Sequence, residues 1–271
     1  MEKNAVTAIA CEFCQMPDSL GTKAFQALYQ ENQILNIPNF PKDFFVAQDV
    51  ASIGVQGGHL LLIPRRHALS FAAIPSHLPS NEAVEDLAAL LQNLYPSHSI
   101  FFFEHGAGFL NGQSIACGGC HIDHAHAHFV ILPTEAEFTD IQSATIGELQ
   151  RAGWDNITQL PVPTIPFVNL SSLVRTLPYL YAGMIRGDHR TASIIPQQKK
   201  EKPIESQLYR KIISTVIYSR PDATFWNWRD IVLGYTTDER LASLKNGVIE
   251  LRRRLAYALA TKKHHHFVAS S

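Results

Sequence analysis

The chain has 271 residues and a mass of 30.2 kDa, room for one large domain or a domain with a substantial second piece at roughly 150 residues each. Apolar residues make up 46% and charged residues only 17%, which excludes global disorder and points to large buried or interface surfaces. With 23 Lys and Arg against 24 Asp and Glu the net charge is −1, so the basic excess of a general nucleic-acid binder is missing, although a local pocket for one small anion stays open.

No apolar run approaches the ~20 residues that span a bilayer. The first ten residues carry one Lys, one Glu and no long apolar stretch, unlike a secretory signal. The expected compartment is the cytoplasm, with no membrane partner, where the four cysteines read as thiols or metal ligands rather than disulfides.

In chain order, Phe44 to Ala47 is a short apolar run. His59 to Ile63, closed by Pro64, reads as a buried strand. Pro79-Ser80-Asn81 offers a helix start, followed by Val84, Leu87, Leu91 and Leu94 at helical spacing. Ser99 to Phe103 and His124 to Leu132, the latter closed by Pro133, read as two more strands. This pattern predicts an α+β domain over residues 1–150, a sheet with a packed helix. Pro161, Pro163 and Pro166 then mark a break, and 151–203 reads as a Pro-rich connecting segment ending in the charged run from Gln197 to Pro203. Residues 204–271 read as a mostly helical extension: a helix over Gln207 to Tyr218, then a long helix with Leu241, Leu244, Val248, Leu251, Leu255 and Ala258 on one face. Arg252, Arg253 and Arg254 lie mostly off that face, either solvated or contacting an anion or partner.

The chain has 13 histidines, and five fall between His105 and His128. His124, His126 and His128 alternate with Ala125 and Ala127. In a strand this places all three rings on one face, about 6.5 Å apart along it. Each ring has two nitrogens to satisfy, so three facing an apolar interior without a purpose are costly. Two chemistries suit such an array: a metal site with three His ligands, or nucleophilic attack by imidazole on phosphorus or an acyl carbon.

The block Ile122-Asp123-His124-Ala125-His126-Ala127-His128 resembles the motif of the histidine triad superfamily. The resemblance extends in family order to Cys11-x-x-Cys14, to Phe44-Phe45-Val46 with Asp49, to Gly58-His59 through Pro64-x-x-His67, and to Glu104-His105-Gly106. It implies an antiparallel sheet with a packed helix, a nucleotide or nucleotide-conjugate substrate, and a homodimer. His126 would be the nucleophile, attacking the α-phosphorus to give a nucleotidyl-histidine that water, phosphate or another acceptor resolves. His128 would contact the phosphate, with His124 completing the triad. Asp49 would contact ribose and His105 the leaving group, while backbone amides at Gly118, Gly119 and Cys120 would add anion donors. A dinucleoside polyphosphate or similar conjugate is the expected substrate class, with hydrolysis favoured over transfer. A binding protein of the same fold without useful turnover is the alternative.

The cysteines admit three readings. The resemblance implies a structural zinc on Cys11, Cys14, His67 and His124. A Cys-x₂-Cys pair repeated at Cys11, Cys14, Cys117 and Cys120 is a second, with an unusually long gap. Cys117-x-x-Cys120-His121 is formally a c-type haem attachment, disfavoured by the missing export signal. Arg65 and Arg66 either face phosphates or are solvated. The Phe225 to Asp230 aromatic cluster is either core or a wall over the pocket.

Overall fold

The computed structural model describes residues 11, 13–16, 19–110, 113–115, 124–162, 170, 174, 177–197, 202 and 204–268. Gly118, Gly119, Cys120, Cys117 and His121 lie outside the described residues.

The fold class is α+β. Helix α1 (Leu20–Tyr29) precedes strands β1 (Ile34–Leu35), β2 (Phe44–Gln48) and β3 (His59–Pro64). Then come α2 (Ser80–Leu94), β4 (Ser99–Gly106), a small hairpin β5 (Gly108–Leu110) and β6 (Gln113–Ile115), β7 (Ala127–Leu132) and α3 (Phe138–Arg151). Strands β8 (Leu160–Pro161), β9 (Tyr179–Arg186) and β10 (His189–Pro196) follow. The chain ends in α4 (Leu208–Val216), α5 (Ala223–Trp226), α6 (Trp228–Val232) and the long α7 (Asp238–Val268). Eight strands form one sheet in the order β1-β2-β3-β7-β4-β9-β10-β8, and every neighbouring pair is antiparallel.

The apolar run Ile100-Phe101-Phe102-Phe103 does not alternate with polar residues, because both faces of β4 are covered. Ile100 and Phe102 pack with α2 and with Leu251 and Leu255 of α7. Phe101 and Phe103 pack with Ile141 and Leu149 of α3 and with Leu208, Tyr209 and Ile212 of α4. The expected helix over Val84 to Leu94 is α2, with its apolar stripe buried.

Two expectations need revising. Residues 151–203, read from their prolines as a connector, contribute β8, β9 and β10 to the sheet. Pro161 sits in the terminal strand β8, where a missing N–H leaves no ladder bond unmade on the outer side. The strand expected from His124 begins only at Ala127. The β3–β7 ladder ends at Leu62↔Ala127, and beyond it Pro64 has no N–H to give. Ala125 N donates to Ala68 O instead, at 2.6 Å.

The extension is packed onto the sheet domain rather than solvated. In α7, Gly247 lies against Gly57: a Cβ on it would meet Gly57 Cα and N at 2.9 Å. Arg254 donates to Leu94 O at 2.8 Å and lies over the Tyr95 ring, while Arg252 pairs with Glu31 at 3.3 Å. Arg253 pairs within the helix with Glu250 at 2.8 Å, so all three consecutive arginines bind the protein itself. No helix among the described residues is long and apolar enough to cross a membrane.

Candidate active site and metal cluster

Strand register builds the site. Asp49 follows β2, and its amide donates to His59 O at 2.9 Å, so both side chains arise at one end of the β2–β3 pair. His128 on β7 lies opposite Leu61 of β3 and Phe103 of β4. The His128 and Phe103 rings stack at 4.4 Å and 5°, a cross-strand pair in contact. His126 lies 5.1 Å from His128, ring to ring. A cavity opens over these residues, lined also by Asp49 and His105 and, from the extension, by Ser206, Gln207, Arg210, Trp228 and Arg229.

The triad histidines face different partners. His126 Nδ1 lies 2.8 Å from the His124 carbonyl. A carbonyl only accepts, so Nδ1 carries the proton and Nε2 is the lone-pair nitrogen of the neutral ring. His128 Nδ1 lies 2.9 Å from His59 Nε2. Burial, then the neighbouring His126 and His59 rings, push His128 well below its ordinary value, so it is neutral at pH 7.

His124 does not line the cavity. Its Nε2 donates to Pro64 O at 2.8 Å, which leaves Nδ1 as the lone-pair nitrogen. That Nδ1 lies 3.4 Å from both Cys11 Sγ and Cys14 Sγ. Cys14 Sγ is 3.3 Å from His67 Nδ1, and the four donor atoms all lie within 4.8 Å of one another. Bonds of about 2.1–2.3 Å to a tetrahedral ion set ligand-to-ligand edges of about 3.5 Å, so two sulfurs and two imidazoles at this spacing could hold a metal ion. The Pro64 carbonyl supplies the outer contact that metal-bound histidines commonly make. Burial, then Cys11, pushes the Cys14 thiol up to about 11, a crowding that a bound cation reverses. Phe13, between the two cysteines, packs edge-on against both His124 at 5.9 Å and His126 at 5.1 Å. The cluster is thereby coupled to the cavity wall.

Asp49 lies in the cavity floor with both carboxylate oxygens engaged. Oδ1 accepts from Ala51 N at 2.8 Å and Oδ2 from Arg210 Nη1 at 2.9 Å. Burial works to raise this carboxyl, but Arg210 and His59 outweigh it and hold it below the usual range. Asp49, His59 and His128 also have donors close enough to hold an ion. Here the guanidinium already fills the cation's place.

The Glu104-His105-Gly106 block separates by face. Buried Glu104 accepts from Phe71 N at 2.8 Å and from Tyr179 OH at 2.5 Å. Gly106 leaves space for the Tyr179 ring, which a Cβ would meet at 2.2 Å. His105 lines the cavity, 5.7 Å from the Tyr209 ring, and among the described residues its buried Nε2 has no hydrogen-bond partner.

Two central residues carried no expected role from sequence. His59 was seen only as part of a motif, although a histidine opening an otherwise apolar strand is a signal. Arg210 carried no expected role, yet it is 2% exposed between the apolar Leu208, Tyr209, Ile212 and Ile213. Trp228 and Arg229 do wall the cavity. Arg65 instead donates to Lys42 O at 2.9 Å and lies over Phe45.

No family model matches the chain, and no curated protein matches it. Among solved structures, a uridylyltransferase is similar over 71% of this chain and 75% of its own, with TM-score 0.30 and 11% identity.

Proposed function

We propose that the chain is a histidine-triad enzyme that cleaves a nucleotide conjugate at its α-phosphorus through His126. The observation that carries this reading is the His126 tautomer: Nδ1 donates to a backbone carbonyl at 2.8 Å, so the lone pair is on Nε2 of a ring that lines the cavity. In the first step Nε2 attacks phosphorus, a P–N bond forms, and the P–O bond to the leaving group breaks with its electron pair. His128 donates to a phosphate oxygen as charge develops. His105 lies on the same wall and is proposed to face the leaving group. In the second step water attacks phosphorus and forms a P–O bond, its proton leaves to solvent, the P–N bond breaks, and that electron pair returns to Nε2. Water as acceptor makes the enzyme a hydrolase; phosphate or another acceptor makes it a transferase.

The proposed substrate class is a dinucleoside polyphosphate or similar conjugate. Asp49 is proposed for ribose and the loop at Gly118, Gly119 and Cys120 for phosphate. Cys11, Cys14, His67 and His124 would hold zinc, a charge that anchors the chain entering β7; their sulfur and imidazole donors suit that ion. The nucleotide-binding unit is proposed to include β9 and β10, which belong to the same sheet. The protein is proposed to act as a cytoplasmic homodimer without nucleic-acid or membrane partners.

Brief exposure to diadenosine tetraphosphate and to a panel of nucleoside diphosphate conjugates, followed by intact-protein mass spectrometry, tests the reading. An acid-labile nucleotidyl adduct is expected on the wild type and not on His126→Ala. Nucleotide binding with neither adduct nor product would make the chain a binding protein. No nucleotide binding would remove the nucleotide reading altogether.

A further inference from the structure

We propose that Arg210, on helix α4 of the C-terminal extension, is a positioning residue that sets which nitrogen of His128 carries the proton. Hydrogen bonds run inward from the guanidinium. Nε donates to Trp226 O at 2.8 Å, Nη2 to Ala51 O at 2.5 Å, and Nη1 to Asp49 Oδ2 at 2.9 Å. Nη1 also lies 3.4 Å from His59 Nδ1, and the Ile53 amide points at that same nitrogen at 3.4 Å. Both neighbours are donors only. His59 Nδ1 must therefore accept, and the ring proton must sit on Nε2. His59 Nε2 lies 2.9 Å from His128 Nδ1 and 3.7 Å from Asp49 Oδ2. It donates to the nearer atom, so His128 Nδ1 accepts and its own proton sits on Nε2.

The consequence is a matched pair on the cavity wall. His126 has its lone pair on Nε2, while His128 carries an Nε2–H. A nucleophile and a hydrogen-bond donor side by side are what attack on a phosphate requires. If His59 held its proton on Nδ1 instead, the chain of donors would reverse, and His128 would show the cavity a lone pair that repels phosphate oxygens. Arg210 opposes that state twice. It faces His59 Nδ1 with an N–H, and it neutralises Asp49, which would otherwise compete for the Nε2 proton. The extension thereby becomes part of the site rather than an appendage. The use made of His128 rests on the proposed phosphorus chemistry, but the tautomer assignment does not.

The test uses full-length protein labelled with ¹⁵N at histidine. Long-range ¹H–¹⁵N spectra report each ring's tautomer without substrate. The wild type is expected to show His59 and His128 protonated on Nε2 and His126 on Nδ1. Arg210→Lys keeps a charge near Asp49 but cannot make all four contacts, and Arg210→Met removes the charge. Both are expected to mix the His59 and His128 tautomers. If phosphorus chemistry occurs, both should slow adduct formation about 10- to 100-fold, the order expected when a phosphate donor is partly lost or misplaced, with the nucleotide Kd held within about twofold. Should Arg210→Met fail to fold, Arg210→Met combined with Asp49→Asn removes both buried charges and is read by its His59 and His128 tautomers alone, because Asp49 is itself a proposed substrate contact. A wild-type His128 protonated on Nδ1, or variants that keep pure wild-type tautomers, would overturn the proposal. So would a loss that appears wholly in Kd, because that marks a ligand-binding arginine. Correct tautomers without any adduct would sink the enzymatic reading and leave this one standing.

Discussion

Two imidazole clusters flank His126, and they solve the same electrostatic problem differently. In the Cys11, Cys14, His67 and His124 cluster, two thiols meet two imidazole nitrogens with no lysine or arginine among the donors. In the Asp49, His59 and His128 cluster, the guanidinium of Arg210 is built in at 2.9 Å from the carboxylate. The first needs an ion from outside to become favourable; the second brings its positive charge on a helix. Donor geometry alone does not separate them, since both have atoms close enough to hold an ion. The charge inventory does.

The largest expected effect follows from removing an outside ion. If Cys11, Cys14, His67 and His124 hold zinc as proposed, Cys14→Ser, or a strong chelator, should reduce it from one per chain to near zero. It should also lower the melting temperature sharply, because the binding energy of a site formed on folding is folding energy. The segment around Phe13 would keep its packing on Phe45, Ala47, Leu61 and Ile63 and its ring contact with His126, without the tie to His67 and His124 through an ion. Metal analysis with thermal denaturation checks this. Metal-free wild type as stable as the loaded protein would break the comparison.

Acid should act next most strongly, through the second cluster. Burial pushes His59 down to about 3, with Asp49 opposing the shift and Arg210 adding to it, against an ordinary value near 6.5. Between those values the unfolded chain binds a proton that the folded chain refuses, so stability falls as pH falls from about 6.5. The loss from His59 alone should reach about 2 kcal/mol by pH 5. His128 shifts the same way. Asp49, held low, adds a further loss only as pH drops below the ordinary carboxylate range. Denaturant unfolding at pH 7.5, 6 and 5 measures the slope, and His59→Gln should flatten it. A flat wild-type profile would show that His59 is not buried neutral.

How far the site was legible from sequence depended on whether its residues were close in the chain. The α+β class, the strands at Phe44, His59 and Ser99, and helix α2 were readable from apolar patterning. The grouping of Cys11, Cys14, His67 and His124 was legible only through the resemblance, and the expected cofacial array of three histidines did not form: β7 begins at Ala127, and His124 turns to the Pro64 carbonyl and the cysteines. The prolines around 161 misdirected the reading of 151–203, because an edge strand tolerates proline where a central one does not. Strands β9 and β10 were passed over, although Tyr179, Leu180 and Tyr181 are fully buried. Arg210 could not be assigned from sequence. Its partner Asp49 is 161 residues away, and an arginine in an amphipathic helix reads as surface until the packing is known.

The smallest effect sharpens the contrast by loosening only one side of it. Gly247 lies inside α7, where helix propensity alone favours alanine by up to about 1 kcal/mol. Its Cα hydrogens, however, face the turn at Gly57, which has φ +77 and would meet a new methyl at 2.9 Å from its Cα and N. Backbone atoms on both sides cannot swing away as a side chain would, so Gly247→Ala should destabilise by about 1–3 kcal/mol, the range for overpacking. The displaced turn is continuous with residues 49–53, which Arg210 and Arg240 grip through the Ala51 and Ser52 carbonyls. The strain should therefore reach the arginine-neutralised cluster and leave the cysteine cluster alone. Zinc content unchanged, stability reduced and the His59 resonances shifted is the expected combination. A variant that gains stability would mean that α7 slides freely over the turn, and the extension would then be a poor anchor for Arg210.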